Sequence, residues 1–273
     1  MDNGIHFISG LPRSGSTLLA ALLRQNPHFS ASMTSPVSSL FNAMLTATSV
    51  RNETAIFVGD IQRKRLLRAC FEAYYADIHP TKLVFDTHRA WTTKLAALTQ
   101  LFPQAKVICC VRNPAWVLDS LERLIRRNAF DLSGIFNFDP TGNVYSRVGG
   151  LGSGDGMMGF AWNALREAVF GPQAQVLLLL RYETLSTRPL EALAALYDFI
   201  GEPHFAHDPE HIEPCHDMIE FDQRLGTPGL HDVRPAVRAD DRPTILPPDL
   251  FARYEQDTFW ENNARLPASV RVV

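Results

Sequence analysis

Short runs of consecutive apolar residues alternate along this chain with longer stretches whose apolar positions recur at helical spacing. The short runs are Ile5 to Ser9, Leu83 to Asp86, Lys106 to Val111 and Val176 to Arg181. A strand with one solvated face would alternate apolar and polar residues. Unbroken apolar, β-branched runs instead predict strands covered on both faces, as in a parallel sheet. Between them, Thr17 to Gln25, Ile61 to Tyr75, Thr93 to Phe102, Pro114 to Arg127, Met157 to Phe170 and Pro189 to Ile200 carry the helical pattern, and a last helix is expected from Pro248 to about Trp260. Strand and helix in alternation predict an α/β fold, a doubly wound parallel sheet flanked by helices.

Two segments interrupt the pattern, and both are long for connections in a compact fold. Residues 130–156 are rich in Gly and polar residues yet carry Phe136, Phe138 and Tyr145, so the segment is either a surface excursion or a lid over a substrate. Residues 204–248 are rich in His, Pro, Asp and Arg. With no repeat and no compositional boundary, residues 1–273 are read as one domain. Of the 273 residues, 46% are hydrophobic and 20% charged, enough apolar material for a full core. The strongest apolar run, Val176 to Leu180, is closed by Gln175 and Arg181, so no membrane span is expected. The first predicted strand begins at Ile5, which leaves no room for a leader and points to the cytoplasm. A net charge of −3 gives no long-range attraction for nucleic acid, so an anion would be held by a few placed groups. Cys70, Cys109, Cys110 and Cys215 lack zinc-ligand spacing; no metal site is predicted, and they read as small core residues.

The first strand runs into Gly10-Leu11-Pro12-Arg13-Ser14-Gly15-Ser16-Thr17 and then a helix. A glycine-punctuated loop between strand and helix can turn successive backbone N–H groups toward an anion, with the positive end of the helix behind them. Gly10 and Gly15 have the spacing of the GxxxxGK[ST] loop, but Ser16 stands where its lysine would be, which disfavours an ATP-using kinase or hydrolase. Arg13 instead puts a planar, permanent cation inside the loop. A second charged turn follows the third strand: Arg112, then Asn113 as helix cap, Pro114 as first helical residue and Ser120 on the second turn. A guanidinium and a hydroxyl are thereby offered to one phosphate at the carboxyl edge of the sheet.

Together the two elements resemble those of the sulfotransferases that use 3′-phosphoadenylyl sulfate (PAPS), and lie nearer the bacterial and protein-tyrosine branch than the cytosolic aryl branch. The loop resembles the family's 5′-phosphosulfate loop, and Arg112 with Ser120 its 3′-phosphate element. Phe102-Pro103 and Arg181-Tyr182-Glu183-Thr184-Leu185 are similar to further landmarks, and the likeness covers roughly residues 5 to 200. The resemblance implies a P-loop-like fold; PAPS as donor and adenosine 3′,5′-bisphosphate (PAP) as product; no required metal; and nucleotide contacts from Pro12, Arg13, Ser14, Gly15, Ser16, Thr17, Arg112, Ser120 and Tyr182. It also implies a hydroxyl acceptor, either a small alcohol, phenol or carrier-bound molecule or a protein tyrosine, and allows a homodimer. Residues 224–242, with Gly226, Thr227, Gly229, Arg234 and Arg238, stand where relatives return a basic loop to the nucleotide.

For the chemistry, Arg13 is the expected transition-state cation, since sulfuryl transfer, like phosphoryl transfer, spreads charge over peripheral oxygens. A base for the acceptor proton is sought in Asp86-Thr87-His88-Arg89, which follows the second predicted strand. His88 is the first candidate, because cytosolic sulfotransferases place a His in a Lys-Thr/Ser-His motif at a similar point, and Asp86 is the second. Arg89 is either a second cation or a salt-bridge partner. The Glu used as base by protein-tyrosine sulfotransferases falls at Thr34 here. A nucleotide-binding protein that has lost catalysis remains the alternative of another class.

Overall fold

The structure, a computed structural model, describes residues 4–78, 81–215, 217–239, 241–262 and 265–273. Its strands are β1 (Ile5–Gly10), β2 (Phe29–Ala31), β3 (Leu83–Thr87), β4 (Val107–Val111), β5 (Leu177–Arg181) and β6 (Arg271–Val272). They form one sheet in the order β2-β3-β1-β4-β5-β6, and every pairing is parallel. β1 is central, and successive additions to its two sides reverse direction there, so the crevice at its carboxyl end is the place where open α/β sheets bind ligands.

Alternation along each strand sorts the core into two layers. Phe7, Val107, Cys109, Val111, Leu177 and Leu179 join one cluster, while Ile8, Ile108, Cys110, Leu178 and Leu180 join the other. The adjacent cysteines of β4 therefore point oppositely, as expected, whereas Cys70 and Cys215 are only partly buried. Of the helices, α1 (Ser16–Leu23), α8 (Tyr182–Thr187) and α9 (Pro189–Ile200) cover the second layer. The first layer is covered by α2 (Val37–Ala47), α3 (Asp60–Tyr74), α4 (Leu95–Leu101), α5 (Pro114–Arg127), α6 (Val144–Gly152), α7 (Met157–Val169) and α11 (Pro248–Glu255). α10 (Asp217–Arg224) belongs to the long segment before α11.

α5 begins as its sequence requires, with the Asn113 side chain accepting from Ala115 N–H and Pro114 in the first turn. Two buried carboxylates organise its flank. Glu122 holds both Arg126 and Arg147, which ties α6 down. Asp119 accepts from Arg123, Arg242, Thr244 Oγ1 (2.9 Å) and Ile245 N–H (2.7 Å). The 130–156 segment is thus anchored by α6, whose Val148 and Leu151 enter the core. Phe138 and Tyr145 are half exposed and stand outside the cavity at the carboxyl edge of the sheet, which the segment reaches through Gly134 and Ile135. The helix expected over Thr93 to Phe102 is shorter, because a 3₁₀ turn takes up Arg89–Lys94 before α4 starts.

Candidate active site

A cavity of about 890 Å³ opens at the carboxyl edge of the sheet, lined by strand ends, the β1–α1 loop and residues 218–242. Two glycines make the loop. A Cβ on Gly10 would stand 2.2 Å from the Cys110 carbonyl oxygen, so only glycine lets β1 hug β4 there. Gly15 precedes α1 at φ +95°, a left-handed conformation, with the Tyr182 ring packed 3.1 Å from where a Cβ would be.

Between them Arg13 is also left-handed, at φ +53°, a conformation that costs roughly 1 kcal/mol outside glycine. Its guanidinium is held by neighbours: Nε donates to Ser120 Oγ at 3.2 Å and Nη1 to the Leu230 carbonyl. Burial, then the adjacent Arg112, pushes its pKa down, against the opposing pull of Tyr182 and Asp222. Arg112 is buried, donates to the Arg13 carbonyl at 3.3 Å, and lies over the Tyr182 ring at 4.0 Å. The two anion elements, from neighbouring strands, therefore meet in one place. Pro12, Gly15, Ser16, Thr17, Arg112, Ser120 and Tyr182 all line the cavity with Arg13.

Ser14 does not. Its hydroxyl is fully buried and donates to the carbonyls of Leu11 and Cys110 (2.9 Å), so its side chain clamps the loop to β4 and offers nothing to a ligand. Asp86 is a second correction. It sits on β3 two residues from Val84, shares that residue's face, and is not among the residues that line the cavity. Its carboxylate takes three donors: Trp91 Nε1 at 2.7 Å, and Ser35 Oγ and Tyr75 Oη at 2.6 Å each. Burial pushes the Asp86 pKa up while these bonds pull it down. A carboxylate with three donors and no exposure is occupied in holding Trp91, Tyr75 and Ser35 in place. Asp86→Ala should destabilise the fold by about 3 kcal/mol or more by orphaning buried donors, read by urea unfolding, and leave nucleotide affinity of the folded protein within about threefold.

His88 does line the cavity, but its ring is committed differently from a base. Nδ1 accepts from Ala90 N–H at 3.2 Å as the cap of the 3₁₀ turn. A neutral ring accepting at Nδ1 carries its proton on Nε2, which makes the free nitrogen a donor. Burial, and then Arg89, lowers the His88 pKa to about 4, so it stays neutral near pH 7. Arg89 lines the cavity and has no carboxylate partner among the described residues, so of its two expected roles the second cation fits and the salt bridge does not.

In the 224–242 segment, Arg238 is engaged by Glu210 and Arg242 by Asp119. Thr227 is buried against Ser133 Oγ at 2.6 Å. The segment also brings to the wall a residue with no sequence expectation attached, His231, whose Nδ1 lies 2.6 Å from Asp222 Oδ1. The signal was nine positions of spacing across two glycines, without a regular element to make it periodic. Asp232 is the sole carboxylate among the described cavity residues.

Among the described residues no helix is long and apolar enough to cross a membrane. The profile of the Sulfotransferase family matches residues 6–207. Nodulation protein NoeE of Sinorhizobium fredii is 32% identical over 133 residues, a match that covers 43% of this chain and spans 31% of that protein's own length. Among solved structures, a sulfotransferase from Alicyclobacillus acidocaldarius superposes over 83% of this chain and 92% of its own at 13% identity, TM-score 0.49. Mouse sulfotransferase SULT7A1 complexed with PAP superposes over 75% of this chain and 59% of its own at 20% identity, TM-score 0.49.

Proposed function

The chain belongs to the Sulfotransferase family, and from that premise we propose that it transfers a sulfuryl group from PAPS to a hydroxyl acceptor in the cytoplasm. The observation that carries this reading is the convergence of Arg13, Arg112 and Ser120, with Arg13 Nε 3.2 Å from Ser120 Oγ and Arg112 Nη1 3.3 Å from the Arg13 carbonyl. The residues fit such a donor: Gly10 and Gly15 let the loop pack against Cys110 and Tyr182, and Arg13 lies buried beside Arg112. When bound, the donor supplies an activated sulfuryl group on a phosphate leaving group.

The chain's own work is positioning and charge. The loop and the start of α1 hold the 5′ side, Arg112 and Ser120 hold the 3′-phosphate, and Tyr182 keeps Arg112 in place from beneath. Arg13 meets the charge that grows on the transferring oxygens, where a preorganised donor in a water-poor site counts most. Met33, Ile135, Met157 and Phe221 line the same cavity and suit an acceptor with an apolar body. That supports a small alcohol, phenol or carrier-bound molecule over a protein tyrosine.

Calorimetry tests the donor. PAP should bind about a hundredfold more tightly than AMP or ATP, the margin expected of charge-assisted contacts to one extra phosphate. ATP binding as tight as PAP, or dependent on magnesium, would refute the reading.

A further inference from the structure

α10 ends at Arg224, and the chain then turns through Gly226 (φ +64°) and Gly229 (φ +82°), bringing His231 back onto Asp222. Both carboxylate oxygens are used: Oδ2 accepts the His231 backbone N–H at 2.8 Å and Oδ1 lies 2.6 Å from Nδ1. The Asp222 side chain is 3% exposed and that of His231 15%. The turn is pinned from outside by Ser133 on Thr227, by Gly134 N–H on the Leu225 carbonyl at 2.7 Å, and by Asn128 on the Pro228 carbonyl at 2.9 Å. The residue before His231 supplies the carbonyl that holds the Arg13 guanidinium.

An ionised carboxylate only accepts, so the neutral His231 ring carries its proton on Nδ1 and keeps its lone pair on Nε2. Here the arrangement is the reverse of that at His88. His231 lines the cavity while Asp222 stands behind it, the order of carboxylate, imidazole and substrate that orients a general base. We propose that His231 is the general base for the acceptor hydroxyl and that Asp222 is its positioning residue. The assignment rests on the sulfuryl-transfer reading. As the acceptor oxygen forms its bond to sulfur, the bond from sulfur to the 5′-phosphate oxygen breaks and PAP leaves with that electron pair. The hydroxyl proton passes to His231 Nε2, Asp222 meets the imidazolium charge, and solvent later takes the proton.

Two measurements test this. The first is PAP release from PAPS with water, an aliphatic alcohol or 4-nitrophenol as acceptor, beside calorimetric PAP affinity. His231→Gln should lower the alcohol and water rates by about 10²–10⁴ with PAP affinity held within about threefold. The loss should shrink for 4-nitrophenol, which gives up its proton readily. The second is side-chain ¹⁵N NMR of the full chain, which should show Nδ1–H on His231 and Nε2–H on His88 in the wild type. In Asp222→Asn the amide can offer N–H to Nδ1, so the His231 proton should move to Nε2 and the rate should fall by about 10³–10⁴, as a wrong tautomer does. A His231→Gln rate within about threefold of wild type, a loss of PAP affinity in step with rate, Nε2–H on wild-type His231, or a loss confined to Asp232→Asn would each overturn the assignment. A wild type that releases no PAP from PAPS would overturn the transfer reading itself, whereas wild-type turnover unaffected by His231→Gln would overturn the base alone.

Discussion

Arg13→Ala should lower kcat by about 10³-fold while weakening PAP by less than about tenfold. In the proposed reading PAP, which lacks the sulfuryl group, keeps the phosphate contacts and loses only what Arg13 offers the transferring oxygens. An interaction realised mainly in the transition state shows in kcat and hardly in product affinity. The fixed left-handed backbone at Arg13 and its two hydrogen bonds to Ser120 and Leu230 hold the guanidinium ready, so little reorganisation precedes reaction. Arg13→Lys should recover only part of the rate, because an ammonium keeps the charge but loses the planar fork. Equal losses of kcat and PAP affinity would make Arg13 an ordinary binding residue.

Arg112→Ala should cost about 2–5 kcal/mol of PAP binding, a loss of roughly 30-fold to several thousandfold. The loss should be selective: AMP, which has no 3′-phosphate, should bind the variant nearly as it binds the wild type. Arg112 also braces the Arg13 carbonyl and stacks on Tyr182. Comparison with AMP separates the phosphate contact from that bracing, because a collapsed loop would weaken both nucleotides alike.

The four longer strands and the two turns that meet at the cavity are legible because their signals are local. Continuous apolar runs, a cap with a following proline, and glycines at fixed offsets each state their geometry within about ten residues. β2 and β6 escaped notice because three residues and two residues cannot display a period. α2 was missed although Val37, Phe41, Met44 and Leu45 are helically spaced, since Ser, Thr and Asn between them weaken the pattern. α6 contains Gly149, Gly150 and Gly152, which disguise a helix whose buried face is held by Glu122 and Arg147.

The site divides in the same way. Arg13, Arg112 and Ser120 could be named from their own loops. Ser14 and Asp86 sit in equally suggestive strings, yet their directions depend on strand alternation and on neighbours far along the chain. His88 is marked by its place after a strand and by its likeness to a family motif, and only the Ala90 N–H reveals which nitrogen is free. Asp222 and His231 are joined by an irregular turn, so nothing periodic marks them as a pair.

The loop around Gly10 and Gly15 leans on residues far downstream: Ser14 donates to the Cys110 carbonyl, and Tyr182 packs on Gly15. A ribosome makes the loop before the residues that support it. At about 5–20 residues per second, the stretch from Thr17 to Tyr182 takes roughly 10–30 s to emerge. β3 and β4, the two neighbours of β1, emerge within that interval, and β5 and Tyr182 follow at its end; pairing over such long sequence separations is slow. The nascent chain should therefore gain nucleotide affinity late, once β5 and Tyr182 have cleared the exit tunnel, and the moment of that gain times the packing of Tyr182 on Gly15.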